Sequence, residues 1–389
     1  MKLNQNPLAV SIAALTFARI VVNVARRFAY PFLPAIGREL GAPLADVQNA
    51  VAGQGGIGVL SPLLGPLAER YGRKRVLLAA LALIAGAGAV GVAAPQYGPF
   101  LLVMLLFGVA KAMYDPAMQA YVGDAVAYTR RARAIGVTEL AWSLALVIGA
   151  PLAGYLLDTS GLRAVYAVIV AASLGALALL WATLPADRPR AETHANHLRE
   201  AWRAMRGGRA AQAGVLFTVL FIVANETLLI NYGVWMERTF NLSLTSLGAA
   251  SVTIALAEIA GEALVTAVAD RLGKRRLVLG CALLACASYV VLPRLSFSLG
   301  ASLAGLFVLF VGVETAIVAS IALFTEALPQ ARSVMMSSNV AAAAFGRLAG
   351  AQLGIWVYGA SGRFDLIGGL AALIGGAAAV VLWARFDQD

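Results

Sequence analysis

Long apolar segments are the feature of this sequence that most limits how it can fold. Twelve of them, separated by charged clusters and Pro/Gly turns, are each long enough to cross a bilayer as a helix. With 60% hydrophobic and only 13% charged residues, the chain has more apolar surface than a soluble globule of its size can bury. We therefore predict an all-α integral membrane protein with twelve transmembrane helices. Their approximate limits are 8–33, 46–67, 76–94, 98–122, 133–157, 164–184, 210–236, 245–268, 277–293, 299–324, 333–357 and 364–384.

The distribution of Lys and Arg predicts the orientation of these spans. If the N-terminus lies in the cytoplasm, twenty basic residues fall on the cytoplasmic side and five on the outer side, and the other five lie inside spans. We expect both termini in the cytoplasm and a location in a bacterial inner membrane. The net charge of +10 does not indicate nucleic-acid binding, because the basic residues lie in short loops between apolar spans.

The longest connection divides the chain into two halves of six spans each. We expect an N-terminal bundle at 1–184, a cytoplasmic linker at 185–209 and a C-terminal bundle at 210–389. Arg199, Trp202 and Arg203 in the linker predict a short amphipathic helix on the inner leaflet. The only two histidines, His194 and His197, also lie there, and we interpret them as solvated loop residues rather than metal ligands. No cofactor is expected.

An internal repeat relates the two halves. The loop after span two and the loop after span eight share an acid, an arginine, a glycine and three bases at an offset of 201 residues. The first copy contains Gly65, Glu69, Arg70, Gly72 and Arg73, and the second contains Asp270, Arg271, Gly273 and Lys274. Because each copy follows the second span of a six-span half, chance is a poor explanation for the match.

These loops resemble the signature G-x-L-A-D-R-x-G-R-K-R of the major facilitator superfamily, with Glu69 in place of Asp in the first copy and Thr266 in place of the leading Gly in the second. The resemblance covers essentially the whole chain. It implies two six-helix bundles that flank a central cavity and transport solutes by alternating access. It also implies a cytoplasmic gate, in which the loop bases pair with Asp124 after span four and with Glu326 after span ten. The alternative is that these charges are solvated loop residues.

Span five holds a weaker resemblance. Residues 149–154, Gly-Ala-Pro-Leu-Ala-Gly, look like the G-P-x-x-G element of the proton-coupled exporters of that family, with Ala150 in place of a glycine. The alternative is an ordinary proline kink with close helix packing.

Ionisable residues inside spans mark candidate functional positions, because a charge at bilayer depth is costly. Spans three, six, nine and twelve have none between their ends, and the resemblance implies that these spans face lipid. The other spans contain Arg19, Arg26, Arg27, Lys111, Asp115, Glu139, Glu226, Glu258, Glu262, Glu314 and Arg347. The bases belong mostly to the N-terminal half and the acids mostly to the C-terminal half.

Four carboxyl groups are the candidates for proton coupling. We rank Glu314 and Glu258 first, because Glu314 has no charged neighbour on its own helix and Glu258 has the acidic neighbour Glu262, and we rank Glu226 next. Asp115 lies one turn from Lys111 and is expected to form a gating pair with it. The candidates for countercharges or substrate contacts are Arg19, Asn23, Arg26, Tyr30, Lys111 and Arg347. The alternative for the whole set is permanent ion pairs that fix helix packing, and Arg27, Glu139 and Glu262 are assigned to that role.

The sequence thus predicts a monomeric, proton-coupled secondary transporter that exports small amphiphilic compounds. The alternative is a proton-coupled importer, or a carrier of organic anions or lipid-like solutes, which the basic residues of span one favour. Sodium remains an alternative to protons. A membrane enzyme or an ATP-driven pump is disfavoured, since the sequence has no H-E-x-x-H, G-x-S-x-G or G-x-x-x-x-G-K-[ST] motif.

Overall fold

A computed structural model describes residues 7–187, 208–327 and 332–386, and every regular element in these ranges is a helix. The predicted amphipathic helix of the linker and the two histidines lie within 188–207, outside the described residues. Spans keep the numbers given above. Spans one to six comprise the helices Pro7–Arg27, Leu33–Leu40, Leu44–Gly56, Ser61–Tyr71, Arg73–Ala93, Tyr97–Ala125, Tyr128–Glu139, Ala141–Ser160 and Leu162–Thr183. Spans seven to twelve are Arg209–Phe240, Leu244–Leu272, Lys274–Val291, Leu299–Ala327, Arg332–Ser361 and Phe364–Arg385.

Eleven stretches of the described chain are long and apolar enough to cross a membrane. The remaining span, span two, is divided into Leu44–Gly56 and Ser61–Tyr71 by a 3₁₀ turn at Ile57–Leu60. Four glycines between 53 and 58 explain this break, since glycine is a poor helix former. The chain is therefore an all-helical, multi-pass membrane protein.

Spans one and five are also interrupted, which the apolar pattern did not predict. Span one passes through a 3₁₀ turn at Tyr30–Phe32 and ends at Leu40, seven residues beyond the expected limit. Pro31 and Pro34 account for the irregularity, because proline removes a helix hydrogen bond. Span five is interrupted at Leu140, between Tyr128–Glu139 and Ala141–Ser160.

The helices form two compact units. Unit 1 is Met1–Ala191 with Ser243–Ser251, and unit 2 is Glu192–Leu242 with Val252–Asp389. Within unit 1, span three packs against spans four and six, and span one packs against spans five and six. Within unit 2, span nine packs against spans ten and twelve, and span seven packs against spans eleven and twelve. The same internal arrangement thus occurs in both units, as a sequence repeat requires.

The start of span eight belongs to unit 1 because it packs closely on span five. A Cβ placed at Gly154 would lie 2.4 Å from the Leu244 carbonyl oxygen, and one at Gly248 would lie 2.5 Å from the Ala150 carbonyl oxygen. A Cβ placed at Gly149 would lie 2.8 Å from Cγ2 of Val24 on span one. Small residues allow this approach of backbones. The stretch 149–154 is therefore a helix-packing element, and its expected part in antiport stays a prediction.

Candidate functional site

Span one carries a polar face that is buried in unit 1. Arg19, Asn23, Arg26 and Tyr30 recur every three or four residues and so lie along one side of the span. Asn23 is fully buried, and Arg19 and Arg26 expose only 5% and 6% of their surface. Because a buried cation is costly without partners, the groups around each arginine decide what this face can do.

Arg19 is neutralised by two carboxylates. Its Nη1 lies 2.9 Å from Oε1 of Glu139, and its Nε lies 3.4 Å from Oδ1 of Asp115. Nη1 also donates a hydrogen bond to the Thr138 carbonyl oxygen at 2.8 Å. Thr138 lies next to the break at Leu140, where the last carbonyls of a helix lack intrahelical partners. The interruption of span five therefore supplies one of the acceptors that hold Arg19.

Lys111 joins spans one and four. Its Nζ donates to Oδ2 of Asp115 at 2.7 Å, one turn along span four, and to Oδ1 of Asn23 at 2.8 Å. The ammonium also lies 5.3 Å from the centre of the Trp142 ring, within the range of a cation–π contact. The predicted pairing of Lys111 with Asp115 is present in this structure, and its role in gating stays a prediction.

Arg26 differs from Arg19 in having neutral hydrogen-bond partners. Its Nη1 donates to Oε1 of Gln54 at 3.0 Å, and its Nη2 donates to the Tyr30 hydroxyl at 3.2 Å. Gln54 is itself buried, and its Nε2 donates to the Ala25 carbonyl oxygen, which fixes the orientation of the amide. A positive charge therefore lies in the interior of unit 1 beside two uncharged acceptors.

Arg27 packs on Trp142 of span five. Its guanidinium carbon lies 4.1 Å from the centre of the ring, and its Nη1 donates to the Trp142 carbonyl oxygen at 2.9 Å. We call the group of ionisable side chains in this region of unit 1 the span-one cluster. It consists of Arg19, Arg26, Arg27, Lys111, Asp115 and Glu139. Four cations and two carboxylates leave it with two positive charges.

Sequence reasoning missed two members of this region. Gln54 and Trp142 contact the arginines, but a search for charged residues does not find neutral side chains. Gln54 could have been found from its position, because it is an amide in the apolar span two and buried polar groups are usually hydrogen-bonded. Glu139 was assigned to an ion pair that fixes helix packing. It does form an ion pair with Arg19, and its structural role stays a prediction.

Unit 2 carries three of the four carboxyl groups that are candidates for proton coupling. Glu226 of span seven and Glu258 of span eight each expose 3% of their surface, and Glu314 of span ten is half-buried. A Cβ placed at Gly261 would lie 2.9 Å from Cβ of Glu314, so spans eight and ten touch at this level. Glu258 and Glu262 lie within a turn of Gly261 on span eight. The structure thus brings carboxyl-bearing segments of two spans together.

Span eleven lies against Glu226. A Cβ placed at Gly350 would lie 3.0 Å from Cβ of Glu226, and Gly346 is equally close to the Val219 carbonyl oxygen of span seven. Arg347, the single arginine predicted for this half's interior, lies between these two glycines in sequence and is half-buried. Among the described residues, no group of three or more His, Cys, Asp or Glu side chains is arranged to hold a metal ion.

The repeated loops have the same backbone geometry and equivalent ion pairs. Gly72 and Gly273 both have positive φ, at 98° and 82°, a region that side chains disfavour. Arg73 Nε lies 3.4 Å from Oδ2 of Asp124 in unit 1. In unit 2, Lys274 Nζ bonds to Oε1 of Glu326. Both expected pairs are present, and their proposed function as a gate is not tested by their presence.

A further contact of these loops was not foreseen. Lys74 Nζ donates to the Trp181 carbonyl oxygen at 2.7 Å, and Arg275 Nη2 donates to the Trp383 carbonyl oxygen at 2.6 Å. Each loop is thereby attached to the end of the sixth span of its own unit. In unit 1, Asp187 also accepts the backbone N–H groups of Lys74 and Arg75, which form the N-terminal turn of span three.

The remaining members of the predicted gate lie at the surface of their units or within a helix. The side chains of Glu69, Arg70, Asp270 and Arg271 are exposed, and Gly65 lies in the helix Ser61–Tyr71. The Arg70 guanidinium lies 5.2 Å from the centre of the neighbouring Tyr71 ring. Their part in gating stays a prediction.

Known proteins with similar sequences are membrane transporters. The chain is 24% identical over 319 residues to the MFS-type transporter YceJ of Bacillus subtilis (strain 168), which covers 82% of this chain and 81% of that protein. It is 24% identical over 234 residues to Multidrug resistance protein 2 of the same organism, over 57% of each chain.

The fold is also that of a solved transporter. The structure superposes on a D-xylose-proton symporter with a TM-score of 0.81 at 14% sequence identity, covering 98% of both chains. Residues 15–233 and 215–389 each match the Major Facilitator Superfamily. With two six-span units of common design and this match across nearly the whole sequence, the chain belongs to the major facilitator superfamily and is a transporter, not an enzyme.

Proposed function

We propose that the protein is a proton-coupled secondary transporter that exports small amphiphilic compounds by alternating access. Export is favoured by the similarity to Multidrug resistance protein 2. The single observation that supports coupling is the burial of carboxyl groups in unit 2, where Glu226 and Glu258 are almost inaccessible within apolar helices. A buried carboxyl group that meets water in one state and apolar surroundings in another can take up and release a proton.

The location and surroundings of the transporter follow from the same proposal. We place it in a bacterial inner membrane with both termini in the cytoplasm, because the basic residues then lie mainly on the cytoplasmic side. It acts as a monomer in contact with membrane lipid. Its partners are the transported small molecule and protons, with sodium as the alternative coupling ion.

The proposal is tested in two steps with the purified full chain. A thermal-shift screen against lipophilic cations, organic anions and lysolipids at several pH values first identifies ligands, which raise the unfolding temperature by binding the folded state. Proteoliposomes are then loaded with a ligand and given either a pH gradient or a sodium gradient. We expect movement of the ligand against its gradient with the pH gradient alone. Movement driven only by sodium, or only down the ligand gradient, would contradict proton coupling.

Import is the second candidate for the direction of transport. The observation that favours an organic anion, whichever the direction, is the surplus of two positive charges in the span-one cluster. Cells that express the protein distinguish the directions, because an exporter lowers and an importer raises the cellular content of a ligand from the screen. Cells that do not express the protein serve as the control for passive entry.

A further inference from the structure

We propose that Arg26, Asn23 and Lys111 form a binding site for the carboxylate group of an organic substrate, so that the transported compounds are amphiphilic anions. The inference rests on the proposed transport function, because it names the charge of the substrate. It depends on three features of unit 1, which concern the charge on Arg26, the amide of Asn23 and the surrounding aromatic rings.

The charge of Arg26 is the first feature. Arg26 exposes only 6% of its surface, and the acceptors that its guanidinium reaches, Gln54 Oε1 and the Tyr30 hydroxyl, carry no charge. Arg19, seven residues earlier on the same face, shows the contrasting arrangement with Glu139 and Asp115. A hydrogen bond to a charged acceptor is about twice as strong as one to a neutral acceptor. A carboxylate that replaces either neutral partner would therefore bind Arg26 more strongly than the group it displaces.

The amide nitrogen of Asn23 is the second feature. Asn23 is fully buried, and among the described residues its Nδ2 has no hydrogen-bond partner. The orientation of the amide is fixed, because the Lys111 ammonium can only donate and so must face Oδ1, at 2.8 Å. A buried donor without a partner costs about 1–3 kcal/mol, so such groups call for an explanation. A substrate oxygen that accepts from Nδ2 supplies one.

These two features lie next to each other. Asn23 and Arg26 are three residues apart and share one face of span one. Lys111 is bonded to Asn23, and both Arg26 and Arg19 are close enough to repel its charge. Asp115 offsets part of this repulsion, but it is shared between Lys111 and Arg19. An anion held by Arg26 and Asn23 would lower the repulsion further.

The surrounding rings favour an organic anion over an inorganic one. The Tyr30 ring lies 5.4 Å from the Arg26 guanidinium, and the Trp142 ring lies between Arg27 and Lys111, at 4.1 and 5.3 Å. Aromatic rings offer apolar contact to the body of a ligand beside the cations that hold its charged group. The planar fork of arginine also suits the two oxygens of a carboxylate.

The test compares three fluorescent probes that share one apolar body. They are N-dansylglycine, which carries a carboxylate, the neutral N-dansylglycinamide, and the cationic N-dansylethylenediamine. Binding to the full chain in an uncharged detergent is measured by fluorescence anisotropy at pH 7. We expect dansylglycine to bind about ten- to a hundredfold more tightly than the amide, the range that charge-assisted hydrogen bonds give. Equal binding of the acid and the amide would overturn the proposal.

Variants locate the charge preference. Arg26→Gln should remove it, Arg26→Lys should retain part of it, and Arg294→Gln, which changes an exposed arginine, should leave it intact. Gln54→Glu is the decisive variant, because it gives Arg26 an internal carboxylate at the position of a neutral acceptor. We expect it to abolish the preference for dansylglycine. Its unfolding temperature is measured alongside, because the variant also loses the hydrogen bond to the Ala25 carbonyl oxygen, and a folded sample excludes loss of folding as the cause. An unchanged preference in Gln54→Glu would contradict the site.

Two further outcomes separate this inference from neighbouring claims. Sodium chloride at millimolar concentration tests for an inorganic anion, with the neutral N-dansylglycinamide as the reference probe. Displacement of dansylglycine but not of the amide by chloride would overturn the assignment of an organic carboxylate. The binding measurement needs no gradient. A charge preference that depends on Arg26 in a protein without proton-driven transport would refute only the proposed coupling, and proton-driven transport without the preference would refute only this site.

Discussion

Two arginines on one face of span one have opposite electrostatic surroundings, although the sequence presents them alike. Arg19 lies between Asp115 and Glu139, whereas Arg26 bonds to Gln54 and Tyr30. The sequence was sufficient to predict which charges lie at bilayer depth, because each interrupts an apolar segment. It could not predict the pairing, since that depends on helix rotation and on neutral side chains from spans two and five. Arg19 is held by ion pairs in this structure, and we propose Arg26 for substrate contact.

The ion pairs of Arg19 predict a large loss of stability when this arginine is replaced. Arg19→Gln should lower the free energy of unfolding by about 3 kcal/mol, because it removes the cation of Glu139 and one of the two cations of Asp115. The value is at the low end of the range for buried pairs, since 39% of the Glu139 side chain is exposed. Thermal unfolding in detergent measures the loss, with Arg363→Gln as a control in an exposed ion pair with Asp365. A loss no greater than that of the control would show that Arg19 is not held as described.

The repeated loops and the interrupted spans two and five are the elements that differ from continuous apolar helices. The repeated loop was predictable in both copies, because its glycine and charged residues recur at a fixed offset, and its ion pairs with Asp124 and Glu326 are present. Asp187 was not predicted, since it lies outside the repeated sequence and joins the loop only through backbone N–H groups. The turn in span two and the break in span five were also missed, because hydropathy does not report on helix continuity.

The loop glycines give a prediction at this scale. Gly72→Ala should destabilise unit 1, because φ at 98° is strained for alanine and its Cβ would lie 2.3 Å from the Asp187 carboxylate. Gly273→Ala meets only the strain, about 1–3 kcal/mol, since nothing lies within 4 Å of its Cβ. Unfolding temperatures should therefore fall more for Gly72→Ala, and adding Asp187→Ala should recover part of the difference.

Gly86→Ala is the matched control for this comparison. Gly86 lies inside span three with open space around it and no positive φ, so alanine should be neutral or stabilising there. Equal losses in Gly72→Ala and Gly86→Ala would contradict the role assigned to the turn.

The ion pairs of the loops give a second prediction at the element scale. If Arg73 and Asp124 form part of a gate, Asp124→Asn should change the rate of transport more than the affinity for ligand. The exchange Arg73→Asp with Asp124→Arg should restore much of the rate, because the pair is remade in the reverse order. Transport rates in proteoliposomes and ligand affinities in detergent provide the two readouts. An unchanged transport rate in Asp124→Asn would indicate that these charges are solvated loop residues.

At the scale of the whole molecule, the two units share a helix arrangement but carry different charges. The span-one cluster in unit 1 has a surplus of cations, and unit 2 has Glu226, Glu258, Glu262 and Glu314 with Arg347 inside its spans. Span count, repeat and fold could be predicted because bilayer thickness and internal duplication constrain them strongly. The substrate and the coupling ion could not, because they depend on a few side-chain contacts. We propose that unit 1 recognises the charge of the substrate and that unit 2 carries the coupling proton.

The most direct test of this assignment compares Glu314→Gln and Glu258→Gln with wild type in proteoliposomes, with Glu262→Gln as a control one turn from Glu258. Each sample is measured twice, once for ligand accumulation driven by an imposed pH gradient and once for exchange of labelled against unlabelled ligand without a gradient. We predict that Glu314→Gln, Glu258→Gln or both lose gradient-driven accumulation and keep exchange, while Glu262→Gln keeps both activities. Full gradient-driven accumulation in both Glu314→Gln and Glu258→Gln would contradict it.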